Sequence, residues 1–191
     1  MPKIMRRELT EHAVFSIYLQ GIGYTVAQLR DDNRMEFFDI IKIKDEWSTV
    51  NLNNEKVLFC IVVAAHRLLR LFYRCITHEL VHNTRDRGLL GLSLSSVRDV
   101  TGIFGLSLIK HGEVFEPSSV DVLIRDLDPE RHRDILYSFE LMSMNGSVDK
   151  IMSRLVRFFT LGVNFDDQIK VLYPEIDLPP AGYKRIQTPA G

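Results

Sequence analysis

The chain has 191 residues, 46% hydrophobic and 26% charged, with a net charge of -1. That length and composition suit a folded protein that needs neither disulfides nor metal to form a core, and they exclude global disorder and a polyanion-binding protein built on bulk charge. The two cysteines, Cys60 and Cys75, are too few and too far apart for a disulfide framework or a paired Cys-x-x-Cys clamp, and read as buried thiols.

The N-terminus, "MPKIMRRELTEH", has basic residues but no apolar stretch behind them, and the longest apolar run, "VLFCIVVAA", is too short to span a bilayer. A cytoplasmic location without membrane association is the default expectation. The first part of the chain reads as strands. "AVFSIYL" (13–19) and "YTVAQL" (24–29) flank a Gly21-Ile22-Gly23 turn, and "RMEFFDIIKI" (34–43) follows the turn signal Asp31-Asp32-Asn33. β-Branched and aromatic residues between such turns predict an antiparallel meander. After a polar loop, "VLFCIVVAA" (57–65) reads as a strand buried on both faces.

From His66 to about Ser119 the glycines at 88, 91, 102, 105 and 112 argue for short strands and loops rather than a long helix. "LLGLSLSS" and "IFGLSLIK" share Gly-Leu-Ser-Leu, a match too short to establish a repeat. The C-terminal part is helical with clear punctuation. Asp128-Pro129 opens "PERHRDILYSFELMSM" and Asn145-Gly146 closes it; Ser147 caps "VDKIMSRLVRFFTL", which Gly162 stops; Asn164 begins "FDDQIKVLYPEI". The tail, "DLPPAGYKRIQTPAG", is expected to be extended or disordered.

The fold expected is therefore α+β, an antiparallel sheet, open or barrel-like, followed by two or three helices. Residues 1–125 form a β-rich domain, 126–176 a helical segment packed on it or forming a small subdomain, and 177–191 the tail.

One stretch spells a known chemistry: "CITHELVH" contains His78-Glu79-x-x-His82. In a zinc peptidase such a motif lies on a helix, so that both imidazoles reach one metal while the glutamate serves as general base. If residues 66–84 are helical, His78, His82 and Cys75 fall on successive turns of one flank as zinc ligands beside Glu79. If they form a strand, Glu79 points away from both histidines and the motif is accidental. Six histidines make an accidental occurrence about a one-in-a-hundred event, so the spelling alone does not decide. The nearest further ligands, His111 and Glu113, lie in a glycine-rich stretch, and "NTRDRG" ends any helix after His82. The leaning is accordingly toward a protein that is not an enzyme and holds no cofactor, with the zinc peptidase as the alternative. No phosphate loop, serine-hydrolase elbow or basic-aromatic stripe for nucleic acid is present.

Binding residues are read from two features. Trp47, the only tryptophan, sits beside Asp45 and Glu46 in a polar loop, either as a contact anchor or folded back over the sheet. Arg67, Arg70, Arg74, Arg85, Arg87 and Arg98 face only Glu79 and Asp86 in the stretch 66–98, a local basic surface that an acidic partner or solvent would cover.

"AVFSIYLQGIGYTVAQL", then "RMEFFDI", then "VLFCIVVA", resembles the opening of the bacterial immunity protein 26 family. There an apolar strand, a Gly-x-Tyr-x-x-Ala-x-Leu-like strand, an aromatic-Asp strand and a buried strand follow in that order. The resemblance implies a small cytoplasmic bacterial protein that neutralises a cognate toxin. It ends at Ala65, where "HRLLRLFYRC" replaces an expected Gly-Arg-Trp turn, and transfers no functional residue. The function expected is thus protein binding of the immunity or antitoxin type by occlusion; a phage- or host-factor interaction module is a further alternative, and the oligomeric state is open.

Overall fold

The computed structural model describes residues 4–97, 104–112 and 119–186. Arg98, Glu113 and the last residues of the tail, 187–191, lie outside them. The chain divides into two units, one made of residues up to Arg85 with Met144–Leu161, the other of Asp86–Ser143 with the residues from Gly162 on.

The first unit contains a five-stranded antiparallel sheet of β1 (Val14–Leu19), β2 (Gly23–Leu29), β3 (Arg34–Phe38), β4 (Val57–Val62) and β5 (Arg74–Cys75), in the order β4-β3-β2-β1-β5. The β1–β2 turn needs its glycines. Gly21 has φ 75° and Gly23 φ 145°, and a Cβ on Gly23 would stand 2.5 Å from the Lys42 carbonyl oxygen. β3 stops at Phe38, short of the predicted Ile43. Its register with β4 shifts there, the Asp39 N–H turns to the Lys56 carbonyl, and Lys42 returns to pair with Tyr24.

Alternation sends Phe15, Ile17, Ala27, Met35, Phe37 and Phe59 to one face, where Ile151 and Leu155 of α2 (Val148–Leu161) cover them. Val14, Val26 and Phe38 take the other face, under Trp47, Val50, Leu52 and Ile76. Sheet β1–β3 is consequently covered on both sides except at its Tyr18–Tyr24 end. The strand expected to be buried on both faces, β4, is instead a sheet edge, with Val57, Cys60 and Val62 only half-buried.

Beside this second core lies a buried polar network. Glu36 accepts hydrogen bonds of 2.9 Å from Arg30 Nη1 and Asn83 Nδ2, and Gln28 exchanges hydrogen bonds with the Asn83 backbone. The Arg30 and Glu36 side chains are 7% and 4% exposed. Gln28 of β2, Glu36 of β3 and Arg30 between them each bond to residues 83–85, so the segment after His82 is strapped to the sheet.

The second unit holds the antiparallel sheet β6 (Leu90–Val97), β7 (Phe104–Lys110) and β8 (Asp121–Ile124), in that order, with α1 (Arg133–Ser138) and α3 (Asp167–Leu172). The two Gly-Leu-Ser-Leu strings are β6 and β7, paired antiparallel with Ser93 opposite Ser107. Leu92, Leu106 and Leu108 face a core with Leu136, Phe165 and Tyr173. The Tyr173 hydroxyl donates to the Leu127 carbonyl and accepts from the Leu106 N–H, at 2.9 and 2.8 Å.

The helix expected from Pro129 onward is confined to Arg133–Ser138. Asp128 caps a turn instead, its Oδ1 accepting from the Glu130 and Arg131 N–H groups, and these bonds hold its carboxyl below the usual range. Phe139 is extended, and Leu92 bonds to Glu140 and Met142, so the chain after α1 is drawn alongside β6. α2 begins after Ser147, whose hydroxyl lies 3.4 Å from the Lys150 N–H, and ends at Gly162 with φ 68°. α3 is capped by Asp166 rather than Asn164. Residues 177–186 form neither helix nor strand, turn at Ala181–Gly182 and are tied down: Tyr183 bonds Asp134, Arg185 pairs with Glu140, and the Ile186 N–H donates to Ser138.

Candidate functional site

The β1–β2 hairpin sets Tyr18 directly opposite Tyr24 on the face that also carries Val14 and Val26. Tyr73, whose N–H donates to the Ser16 carbonyl as the chain enters β5, brings a third ring. The centroids lie 4.9 Å (Tyr18–Tyr24), 5.2 Å (Tyr24–Tyr73) and 6.2 Å (Tyr18–Tyr73) apart, the tilted and edge-on spacing that aromatic rings prefer. Tyr18 is 39% exposed and the other two rings are half-buried. Desolvation raises the Tyr24 phenol above its ordinary value, with the Tyr73 hydrogen bond next and then the fields of Tyr73, Tyr18 and Asp45.

The loop after β3 borders these rings. Backbone hydrogen bonds of 2.7 and 2.9 Å clip Lys42 to Tyr24, leaving Ile43 83% exposed next to the clip. The Lys42 ammonium rests 5.4 Å from the Trp47 ring centroid and donates to the Glu46 carbonyl.

Arg74 locks this loop to β5 and to the turn after it. Its guanidinium donates to the Asp45 carboxylate and carbonyl and to both Glu79 carboxylate oxygens, while Asp45 also accepts from the Trp47 indole N–H. These two acids, Glu79 foremost, raise the Arg74 pKa still further, so its charge is permanent. Of the residues the sequence singled out, the structure thus brings together Asp45, Trp47 and Arg74, adds Glu79, and keeps exposed Glu46 beside them. Arg67 and Arg70 are exposed elsewhere, Arg67 lying against Gly146, and no contact joins them to the cluster among the described residues.

Trp47 is folded over the sheet. At 1% exposure it is core, so it supports the surface and is not itself a surface anchor. The tyrosines were missed in the sequence. Two of them were findable, since a hairpin turning at Gly21–Gly23 puts residues 18 and 24 opposite one another; Tyr73 carried no local signal.

The zinc-peptidase reading fails on backbone geometry. Residues 66–84 are not a helix: a 3-10 turn at Ala65–Arg67 leads through loop to the two-residue β5, and Glu79 closes a turn by donating its N–H to the Ile76 carbonyl. His78 and Glu79 are exposed, and Glu79 is gripped by Arg74 instead of standing beside two imidazoles. His82 stacks on His12 at 5.2 Å, and Cys75 Sγ lies 3.2 Å from the Thr77 hydroxyl. No three His, Cys, Asp or Glu side chains converge as a metal site among the described residues.

Two antiparallel sheets with helices after them define an α+β protein, and no helix of the described residues is long and apolar enough to cross a membrane. The chain belongs to the family described as domain of unknown function DUF8309, whose model matches residues 4–177. No curated protein and no solved structure matches it.

Proposed function

We propose that the protein is a non-enzymatic binding module of the immunity or antitoxin type, acting in a bacterial cytoplasm by occluding the active surface of a protein toxin. The observation that carries this reading is the surface of Tyr18, Tyr24 and Tyr73 bordered by Ile43 and the Arg74–Asp45–Glu79 lock. Tyrosine and arginine are the residues on which protein interfaces concentrate their energy. Here the loop is held before any partner arrives, which lowers the ordering cost of association. The strand order resembling immunity protein 26 supports a toxin as the occupant.

Co-expression with a toxin encoded next to the gene tests the reading. Protection of growth and copurification of the pair are expected, and Tyr18→Ala with Tyr73→Ala should weaken binding by about thirtyfold or more. Failure to protect against any neighbouring toxin, or protection untouched by the double variant, overturns it.

A further inference from the structure

The outer face of the three-stranded sheet, opposite its leucine core, holds a cavity of about 260 Å³ lined by Ser93, Ser95, Ser107, Ile109, Val122 and Arg125. Two irregularities shape it. Between the pairs Leu94–Leu106 and Val97–Phe104, β6 carries more residues than β7, so Ser95 stands beside Gly105, which has no side chain to fill the space. A second register shift, at Leu108/Ile109, turns Val122 of β8 to the same face as Ile109. Bulges of this kind re-aim side chains and concentrate beside binding sites.

The lining carries unused hydrogen-bond donors. The Ser95 hydroxyl is buried without a partner. The Ser107 hydroxyl accepts from the Asp126 N–H at 3.3 Å, which leaves its own proton to donate. Arg125 is exposed at the rim, with five N–H donors and no ion pair to an acid among the described residues. Asp126 holds φ 48°, a left-handed conformation uncommon for a residue other than glycine, at the point where Ser107 fastens it. Arg125, Ser95 and Ser107 offer donors beside the Asp126 carboxylate, and Ile109 and Val122 supply an apolar wall.

We propose that this cavity binds a small monocarboxylic acid with an aliphatic body. Its carboxylate lies on Arg125 and the hydroxyls of Ser95 and Ser107, and its chain lies against Ile109 and Val122. The Asp126 carboxylate, also in the lining, selects a single negative charge over a dianion.

Backbone amide spectra of the full ¹⁵N-labelled chain, titrated in parallel with butyrate, butanol and inorganic phosphate, test this. Butyrate is expected to give saturable shifts clustered at residues 93–95, 107–109 and 122–126. Butanol and phosphate should each bind at least about tenfold more weakly, and Arg125→Gln should cost butyrate at least about tenfold. Because Arg125 is exposed, R125Q should leave the remaining spectrum unchanged, and Ser95→Ala, a second and independent probe, should weaken butyrate severalfold. The assignment is overturned by shifts that do not cluster on this face, by butanol or phosphate matching butyrate, or by R125Q and S95A binding like the parent.

Discussion

The five-stranded sheet has α2 over one face and the loops around Trp47 and Ile76 over the other, open only toward Tyr18 at 39% exposure, whereas the three-stranded sheet packs its leucine face on α1 and α3 and, on the other, buries Ser107 and Ile109 of its central strand while leaving Val122 of its edge strand 40% exposed. The difference lies in what each sheet is given as cover. In the first unit α2 takes one face, while the loops around Trp47 and Ile76 take the second, held by a buried charge network and the Arg74 lock. In the second unit α1 and α3 serve the leucine face alone. Two-sided burial forces polar groups inside, where each must be partnered. The outer face of the three-stranded sheet is covered only in part, which leaves room for a ligand beside its buried Ser107 and Ile109.

This contrast places the largest stability effects in the first unit. Glu36→Ala removes the acceptor shared by Arg30 and Asn83 and strands a guanidinium that is 7% exposed, so it should destabilise by about 3–5 kcal/mol in urea unfolding. A loss below about 1 kcal/mol would mean that water reaches Arg30, and the two-sided burial would be less complete than described. In the second unit the corresponding test is Tyr173→Phe. It leaves the Leu106 N–H and the Leu127 carbonyl without their buried partner and should cost about 1–3 kcal/mol. Ser16→Ala should act in the opposite direction. Ser16 is fully buried in β1 and its hydroxyl has no partner, so its removal should stabilise by up to about 1 kcal/mol. A destabilised S16A would point to an acceptor for that hydroxyl in solution.

How much of this could be read from the sequence depends on how local the determining physics is. The β1–β2 hairpin was legible because its glycines and apolar alternation act within a few residues, and α2 because Ser147, Gly162 and the Ile151–Leu155 stripe all agree. The "PERHRDILYSFELMSM" helix was overcalled because the pairing of Leu92 with Glu140 and Met142 is long-range, and it outweighs local propensity. His78-Glu79-x-x-His82 misled for the same reason. Whether that string is helix or turn is set by Arg74, Asp45 and the strap at Asn83, none of which its own letters specify. At the candidate surface, Asp45, Glu46 and Arg74 were found by charge and Trp47 by rarity, but the ring of tyrosines required knowing where β5 returns.

The smallest expected effect concerns alkaline stability and distinguishes the units once more. The Tyr183 phenol is pushed up to about 12, first by burial and next by its 2.6 Å hydrogen bond to Asp134. Burial likewise raises Tyr137, whose ring meets that of Tyr183 edge-on at 5.3 Å. A phenol raised in the folded state keeps its proton where the unfolded chain has released it. Tyr183 therefore contributes stability that is complete below its ordinary value of 10.0 and is lost as pH rises through about 12. Between those limits the second unit, with the raised phenols Tyr183 and Tyr137 against Tyr24 in the first, should loosen first. Amide exchange in β6–β8 should accelerate, relative to β1–β3, as pH rises from about 10 to about 11 after correction for intrinsic exchange. Tyr183→Phe has no proton to lose and should flatten that dependence, though Tyr137 retains part of it. Asp134→Asn removes the charge that helps hold the proton, and should shift the loss to lower pH. If β1–β3 opens first, or if Y183F leaves the dependence unchanged, alkaline loosening has another origin, and the three-stranded sheet is not the weaker unit under these conditions.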